Sequence, residues 1–245
     1  MKKILFLFGA LAFALTSCSS DDDSSGSSDL VLLKKEISTD SDGDKVITNY
    51  AYDGNKIVKI TVDGSTDGVY FTYTGNLITK MEFKYDGDVE QINKYEYDSN
   101  NLLISFVMTE PLEEYGFKEV YKYETDGSIT VTTFRGDDVA QTTANGTRKI
   151  TFTAGEITKI TSTDSPSRSY TYDDKNNPFK NILGYDKISF VEGEASGIVH
   201  NIVSEKDLDN NEVTSSYVFT YNAANYPTKV TESEEGETAT VEYFY

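Results

Sequence analysis

Tyr95-Glu96-Tyr97-Asp98-Ser99-Asn100-Asn101-Leu102-Leu103-Ile104-Ser105-Phe106-Val107-Met108 is the stretch that decides the fold. Two aromatics stand two residues apart, so they share one face of a pleated strand. A polar Asp-Ser-Asn-Asn turn follows, and then an alternating apolar run with Leu102, Ile104, Phe106 and Met108 on one face. An aromatic strand, a tight turn and a second strand make a β-hairpin.

The same pattern recurs along the chain. Its aromatic pairs are Tyr50/Tyr52, Phe71/Tyr73, Tyr95/Tyr97, Tyr121/Tyr123, Tyr170/Tyr172 and Phe219/Tyr221, with a degenerate copy at Ile150/Phe152. The second members are spaced by roughly 20 to 29 residues, apart from a last gap of about 49, and self-similarity at that period indicates a repeat architecture. In the second copy Leu77, Met81, Phe83 and Tyr85 fall on one face, with Ile78, Lys80, Glu82 and Lys84 on the other. Asp-Gly and Asn-Gly pairs such as Asp53-Gly54 and Asp126-Gly127 supply the positive φ of hairpin turns. No capped stripe of 3.6-residue period competes with this reading. The expected fold is all-β: an antiparallel meander of roughly 14 to 16 strands forming one large curved or wrapped sheet. Residues 180–215 do not repeat cleanly and read as an insertion or as the one non-modular surface.

Outward from the repeats, the chain divides into a leader (1–17), a lipidated cysteine with a flexible tether (18–29) and the β-repeat domain (30–245). Met1-Lys2-Lys3 precedes an apolar run, Ile4 to Leu15, of about 12 residues, short of the roughly 20 that a spanning helix needs. Leu15-Thr16-Ser17 then leads into Cys18, the single cysteine. This box resembles the lipobox of bacterial lipoproteins, which implies cleavage before Cys18, lipidation there and attachment to a membrane through that lipid. Residues 19–29 carry no apolar side chain and read as a tether with a reach of roughly 20 Å.

The Ser/Asp run after Cys18 is similar to the export signal of Bacteroidetes-type surface lipoproteins. The Tyr-x-Tyr-Asp units resemble the YD repeats of Rhs-type proteins. Together with Tyr170-Thr-Tyr172-Asp-Asp-Lys-Asn-Asn-Pro178-Phe179, they resemble a group of Bacteroidetes lipoproteins carrying a domain of unknown function. The resemblance implies an all-β repeat fold on the outer membrane, lipid-anchored and facing the cell exterior, and it carries over no catalytic residue.

Composition narrows the partners. The formal charge is −19, with 41 acidic against 22 basic side chains, and it grows more negative if Lys2 and Lys3 are removed. Such a surface repels nucleic acid and anionic membrane surfaces. His200 is the only histidine and its apolar flanks suit a strand, so neither a Ser-His-Asp site nor a zinc site is supported. Asp40-Ser-Asp42-Gly-Asp44 and Asp207-Leu-Asp209-Asn-Asn211 start like calcium loops but lack the glycine at position six and the glutamate at position twelve. Carboxylates are abundant but no pair stands out as a glycosidase couple. The expectation is a protein with no catalytic residues, no metal and no cofactor, acting as a binding or scaffold module for a protein or glycan partner. A glycan-binding accessory of a nutrient-uptake system is the alternative, and a hydrolase using acidic residues is a more remote one. The candidate ligand-binding aromatics are Tyr50, Tyr52, Tyr73, Tyr95, Tyr97, Tyr121, Tyr123, Tyr170, Tyr172 and Tyr221.

Overall fold

The computed structural model describes residues 30–234 and 237–245; the leader, Cys18 and the tether lie outside the described residues. Sixteen strands follow one another: β1 (Lys35–Thr39), β2 (Lys45–Asp53), β3 (Lys56–Val62), β4 (Gly68–Thr74), β5 (Leu77–Tyr85), β6 (Asp88–Tyr97), β7 (Leu103–Glu110), β8 (Tyr115–Tyr123), β9 (Ile129–Gly136), β10 (Gln141–Thr153), β11 (Glu156–Ser162), β12 (Arg168–Tyr172), β13 (Ile202–Asp207), β14 (Val213–Tyr221), β15 (Pro227–Glu234) and β16 (Glu237–Phe244). Each pairs antiparallel with its chain neighbours, and β1 also pairs with β16, from Lys35↔Phe244 to Thr39↔Thr240. The sheet is therefore a closed barrel, which corrects the expectation of a large curved or wrapped sheet. An open sheet of this width would leave the N–H and C=O rows of β1 and β16 unpaired, and closure removes both edges.

The faces also differ from simple alternation. The register shifts by one residue at Ala51/Tyr52, Thr72/Tyr73, Glu96/Tyr97, Thr151/Phe152 and Thr220/Tyr221. Each shift is a bulge just after the repeat turn, with one extra residue on the outgoing strand. Tyr97 consequently faces Leu103, and Ile104, 39% exposed, is the extra residue that turns outward. In the second copy Ile78 joins Met81 and Phe83 on the inner face, in place of Leu77.

The inward face holds the core. Ile57, Ile78, Leu103, Phe106, Ile150 and Ile157 are fully buried. Burying such a side chain contributes about 1.5–3 kcal/mol. The outward face is mixed, with charged and hydroxyl side chains interrupting apolar ones such as Ile92, Val107, Val120, Phe134 and Val218. Register places Lys59, Lys80, Glu82, Lys94, Lys118, Lys149, Lys159, Lys229 and Glu242 on the outer wall, between rows of threonine and serine. Threonine pairs cross-bond on this wall, such as Thr153 with Thr158 at 3.2 Å and Thr220 with Thr228 at 2.9 Å.

In three copies the second aromatic ties neighbouring hairpins together. The Tyr97 hydroxyl donates to the Ile78 carbonyl (2.7 Å), the Tyr172 hydroxyl to the Ile157 carbonyl (2.6 Å), and the Tyr73 hydroxyl accepts the Ile57 N–H (3.2 Å). Each hydroxyl thus ties its own hairpin to the bulged start of the outgoing strand in the preceding one. The repeated tyrosine is a stitch between neighbours.

A 16-strand closure is wide enough to leave an aqueous channel. Here residues 173–201, the stretch between β12 and β13 and most of the non-repeating region, turn into the bore. This plug carries two short 3-10 turns, Tyr185–Lys187 and Val191–Gly193. Ile182, Ile188 and Phe190 are buried in it. Phe190 meets the Tyr121 ring edge-on at 5.6 Å and Phe152 at 6.3 Å, while Phe179 packs 6.0 Å from Tyr50. The plug enters at the end of the barrel that carries the repeat turns. Residues 30–34 enter at the same end, where Leu33 is fully buried and the Val31 carbonyl accepts a bond from the Asn181 side chain (2.9 Å).

Candidate functional site

The plug stops about halfway along the bore, and its tip forms the floor of a cup open at the opposite end. Glu192 and Glu194, on the tip, are both exposed to solvent although the barrel wall surrounds them. Around the tip runs a belt of inward-facing polar side chains that includes Glu36, Asn93, Glu119, Arg148, Arg168, Glu205 and Glu232. The wall above it carries Phe83, Gln91, Glu110, Tyr115 and Arg135, none of them buried.

One side of the belt is a buried ion network. Arg148 on β10 donates through Nη1 to Glu119 on β8, and through Nε and Nη2 to both oxygens of Asp164 at 3.1 Å. The side chains of Arg148, Glu119 and Asp164 are 7%, 1% and 4% exposed, so no bulk water screens them. Burial alone would raise the pKa of Asp164, but bonds from Ser162 and Thr133 and the Arg148 charge hold it below the usual carboxylate range. For Glu119 burial outweighs Arg148, and its pKa is raised. Glu119 also accepts the Tyr121 hydroxyl and the backbone N–H of Glu192 (2.9 Å), which fixes the plug tip to the wall. Gly146 makes room for this arrangement: a Cβ there would lie 2.5 Å from the Asp164 Cβ.

The adjoining stretch of the belt, on β12 to β15, is half-exposed. Arg168 on β12 donates through Nη1 to both oxygens of Glu194 (2.7 and 2.6 Å), and its Nε lies 3.2 Å from Glu205 on β13. Glu232 on β15 adds a further carboxylate, raised in pKa first by burial and also by its neighbours Glu234 and Glu205. Enclosure by the barrel wall, which limits hydration of its charge, with Glu119 close by, lifts Glu192 to about 7, and burial lifts Glu36 to about 7 against the 2.7 Å bond that it accepts from Tyr50.

The returning arm of the plug is held by one carboxylate. Glu156 accepts the backbone N–H groups of Ile198 (3.0 Å), Val199 (2.9 Å) and His200 (2.7 Å), and His200 Nδ1 lies 3.2 Å from the same group. The lone histidine therefore sits on the plug, not on a strand. Asp173 accepts the backbone N–H of Asn201 (3.1 Å) and the Tyr221 hydroxyl, which closes the base of the plug.

All ten candidate tyrosines face inward at the plugged end. Tyr50, Tyr95, Tyr121 and Tyr170 are buried; Tyr52, Tyr73, Tyr97, Tyr172 and Tyr221 are partly buried; Tyr123 is 37% exposed. They surround the plug and make no open platform. Cys18 lies outside the described residues. Asp40 and Asp207 cap their own turns: Asp40 Oδ1 accepts the N–H of Asp42 (3.0 Å) and of Asp44 (2.9 Å), and Asp207 Oδ1 that of Asp209 (2.7 Å). Among the described residues, no group of three His, Cys, Asp or Glu side chains is arranged to hold a metal ion. The belt itself had a signal in the sequence. The residue two before the first aromatic, on the same inner face, is Thr48, Asn93, Glu119, Arg148 or Arg168 in five of the seven copies.

No protein-family model and no curated protein matches the chain. Solved structures do. A porin-like protein from Bacteroides uniformis superposes with a TM-score of 0.53 at 10% identity, over 86% of this chain and 97% of that one. A porin-like protein from Bacteroides vulgatus superposes with a TM-score of 0.50 at 11% identity, over 88% of this chain and 98% of that one. At such low identity the chain shares with these proteins the barrel fold.

Proposed function

We propose that the chain is a non-enzymatic binding module of the outer membrane, attached through a lipid on Cys18, with its barrel in water and its cup turned outward. The observation that carries this reading is the charge that recurs along the outer wall. A barrel that crosses a membrane shows lipid an apolar band about 25 Å tall, and a lysine or arginine on that face costs about 2–4 kcal/mol at the bilayer midplane. Here lysine, glutamate, threonine and serine recur along the outer wall and interrupt its apolar side chains, such as Ile92, Val107, Val120 and Val218, while the main apolar core fills the bore with the plug. The two solved neighbours are described as porin-like, but in this chain a pore reading meets both an exterior interrupted by charges and an occupied bore.

Orientation follows from where the chain enters. Residue 30 leads into the plugged end, so a tether from Cys18 brings that end toward the membrane and leaves the cup facing away. The cup is the part accessible to a partner. The glycan-accessory reading loses its platform, because the tyrosines on which it rested pack around the plug.

Detergent-phase partitioning of the full-length protein and its Cys18→Ala variant tests the reading. The native protein should enter the detergent phase through its lipid, and the variant should stay in the aqueous phase. A variant that still partitions into detergent would mark a spanning barrel and overturn the proposal.

A further inference from the structure

The first aromatic of each repeat sets up a comparison within the molecule. The Tyr50 hydroxyl donates to Glu36 (2.7 Å), that of Tyr95 to the Met81 sulfur (3.0 Å) and that of Tyr121 to Glu119. Tyr170 occupies the same place on β12 and is 3% exposed, yet its hydroxyl makes no hydrogen bond. It lies beside the Arg168 guanidinium without meeting it in bonding geometry, and near the carboxylates of Glu194 and Glu205. An unbonded buried hydroxyl costs about 1–3 kcal/mol, so its retention asks for a reason.

The surrounding charge is one-sided. Arg168 stands among Glu194, Glu205 and Glu232, and the next cation, Arg148, is engaged by Glu119 and Asp164. The Arg168–Glu194 pair is half-exposed, with side chains 30% and 56% exposed, and a pair of that kind holds weakly. Glu194 sits at the plug tip just after Gly193, a left-handed glycine. It is thus the group best placed to leave Arg168 for a better-charged partner, while Arg168 retains Glu205.

We propose that this corner of the cup binds a primary ammonium group, with Glu194 and Glu205 accepting two of its N–H bonds and the Tyr170 hydroxyl a third. An ammonium has three donors and no acceptor, which matches three acceptors and an excess of negative charge. Tyr217, paired with Glu232 on the inner face of β14 and β15, adds a second aromatic ring to the corner. This inference rests on the reading of the cup as a binding site. A free polyamine and a lysine side chain on a peptide share this chemistry.

Calorimetric titration of the full-length protein at low ionic strength, with spermidine in one arm and trilysine in the other, tests the assignment. Binding in either arm is expected; spermidine alone points to a free amine, and trilysine to a peptide. Glu205→Gln should weaken binding by about tenfold or more, since it removes the charge of one of the two carboxylates that accept from the ammonium. Glu96→Gln, on the outer wall, should leave binding unchanged. Tyr170→Phe removes a hydroxyl that bonds to nothing, so it should fold like the native chain and still weaken binding several-fold. The proposal is overturned if neither ligand binds, if Glu96→Gln weakens binding as much as Glu205→Gln, or if Tyr170→Phe leaves the affinity intact. None of these results would move the aqueous partitioning of the Cys18→Ala variant, so the two proposals fail separately.

Discussion

Arg148 on β10 reaches past β9 to Glu119 on β8, and the carboxylate it meets also holds the backbone of Glu192 at the plug tip. One buried ion pair thus joins two strands of the wall to the segment that fills the bore. Arg148→Met should be strongly destabilising, by about 3–5 kcal/mol, because it leaves Glu119 and Asp164 buried without their countercharge. Urea denaturation checks this, and a loss below about 1 kcal/mol would show that the network does not matter to the fold.

Stability should fall as pH rises from 4.5 toward 7. Glu36 ionises near 4.5 when unfolded and at about 7 when folded, since burial opposes its charge. A raised pKa of this kind stabilises the fold below the unfolded value, and the advantage is lost as pH climbs to the folded one. The effect for Glu36, 8% exposed, is at most about 3 kcal/mol. Glu192 shifts in the same direction. Urea midpoints measured across this window should drop for the native chain and drop less for Glu36→Gln. Equal slopes for both would assign the effect elsewhere.

Glu156→Ala should loosen the plug without opening the barrel. Three backbone N–H groups lose their acceptor, and hydrogen bonds to a charged group contribute about 1.5–3 kcal/mol each. Local opening should become easier by about 2–3 kcal/mol, so amide exchange at Ile198, Val199 and His200 should accelerate roughly 30- to 150-fold. Strand amides of β3 to β8 should keep their protection. Uniform acceleration would mean that plug and wall unfold as one unit.

Inner and outer positions should respond in opposite ways. Val218 is 71% exposed on the outer wall, and Val218→Lys should change stability by no more than about 0.5 kcal/mol. Phe106 is fully buried, and Phe106→Ala should cost about 3–5 kcal/mol. Thermal denaturation of the two variants checks the pair.

The aromatic pairs made the strands, their order and their inward face legible, because side chains two apart share a face whatever the sheet does globally. Alternation puts Ile104 and Leu77 on the inner face, whereas a bulge inserts one residue after the turn, and neither propensity nor alternation reports a bulge. Closure was not legible either. It depends on β1 meeting β16 across the whole chain, a pairing that no local pattern encodes. The cup was hidden for a related reason. Part of its belt lies two residues before five of the aromatic pairs, where Glu119, Arg148 and Arg168 read as ordinary surface charges without the register that turns them inward. Residues 180–215 are marked by their failure to repeat: 180–201 belong to the plug, and the rest is β13, its turn and the start of β14.

The most direct test of a barrel whose outer wall meets water is cysteine reactivity on β15 in the membrane-attached, full-length protein. Thr231, paired with Thr240 and facing out at mid-strand, is replaced by cysteine in one variant, and Val230, 4% exposed and facing in, in the other. A membrane-impermeant maleimide should label the Thr231→Cys variant rapidly and leave the Val230→Cys variant unlabelled. An unreactive cysteine at position 231, shielded as lipid would shield it, would contradict the account.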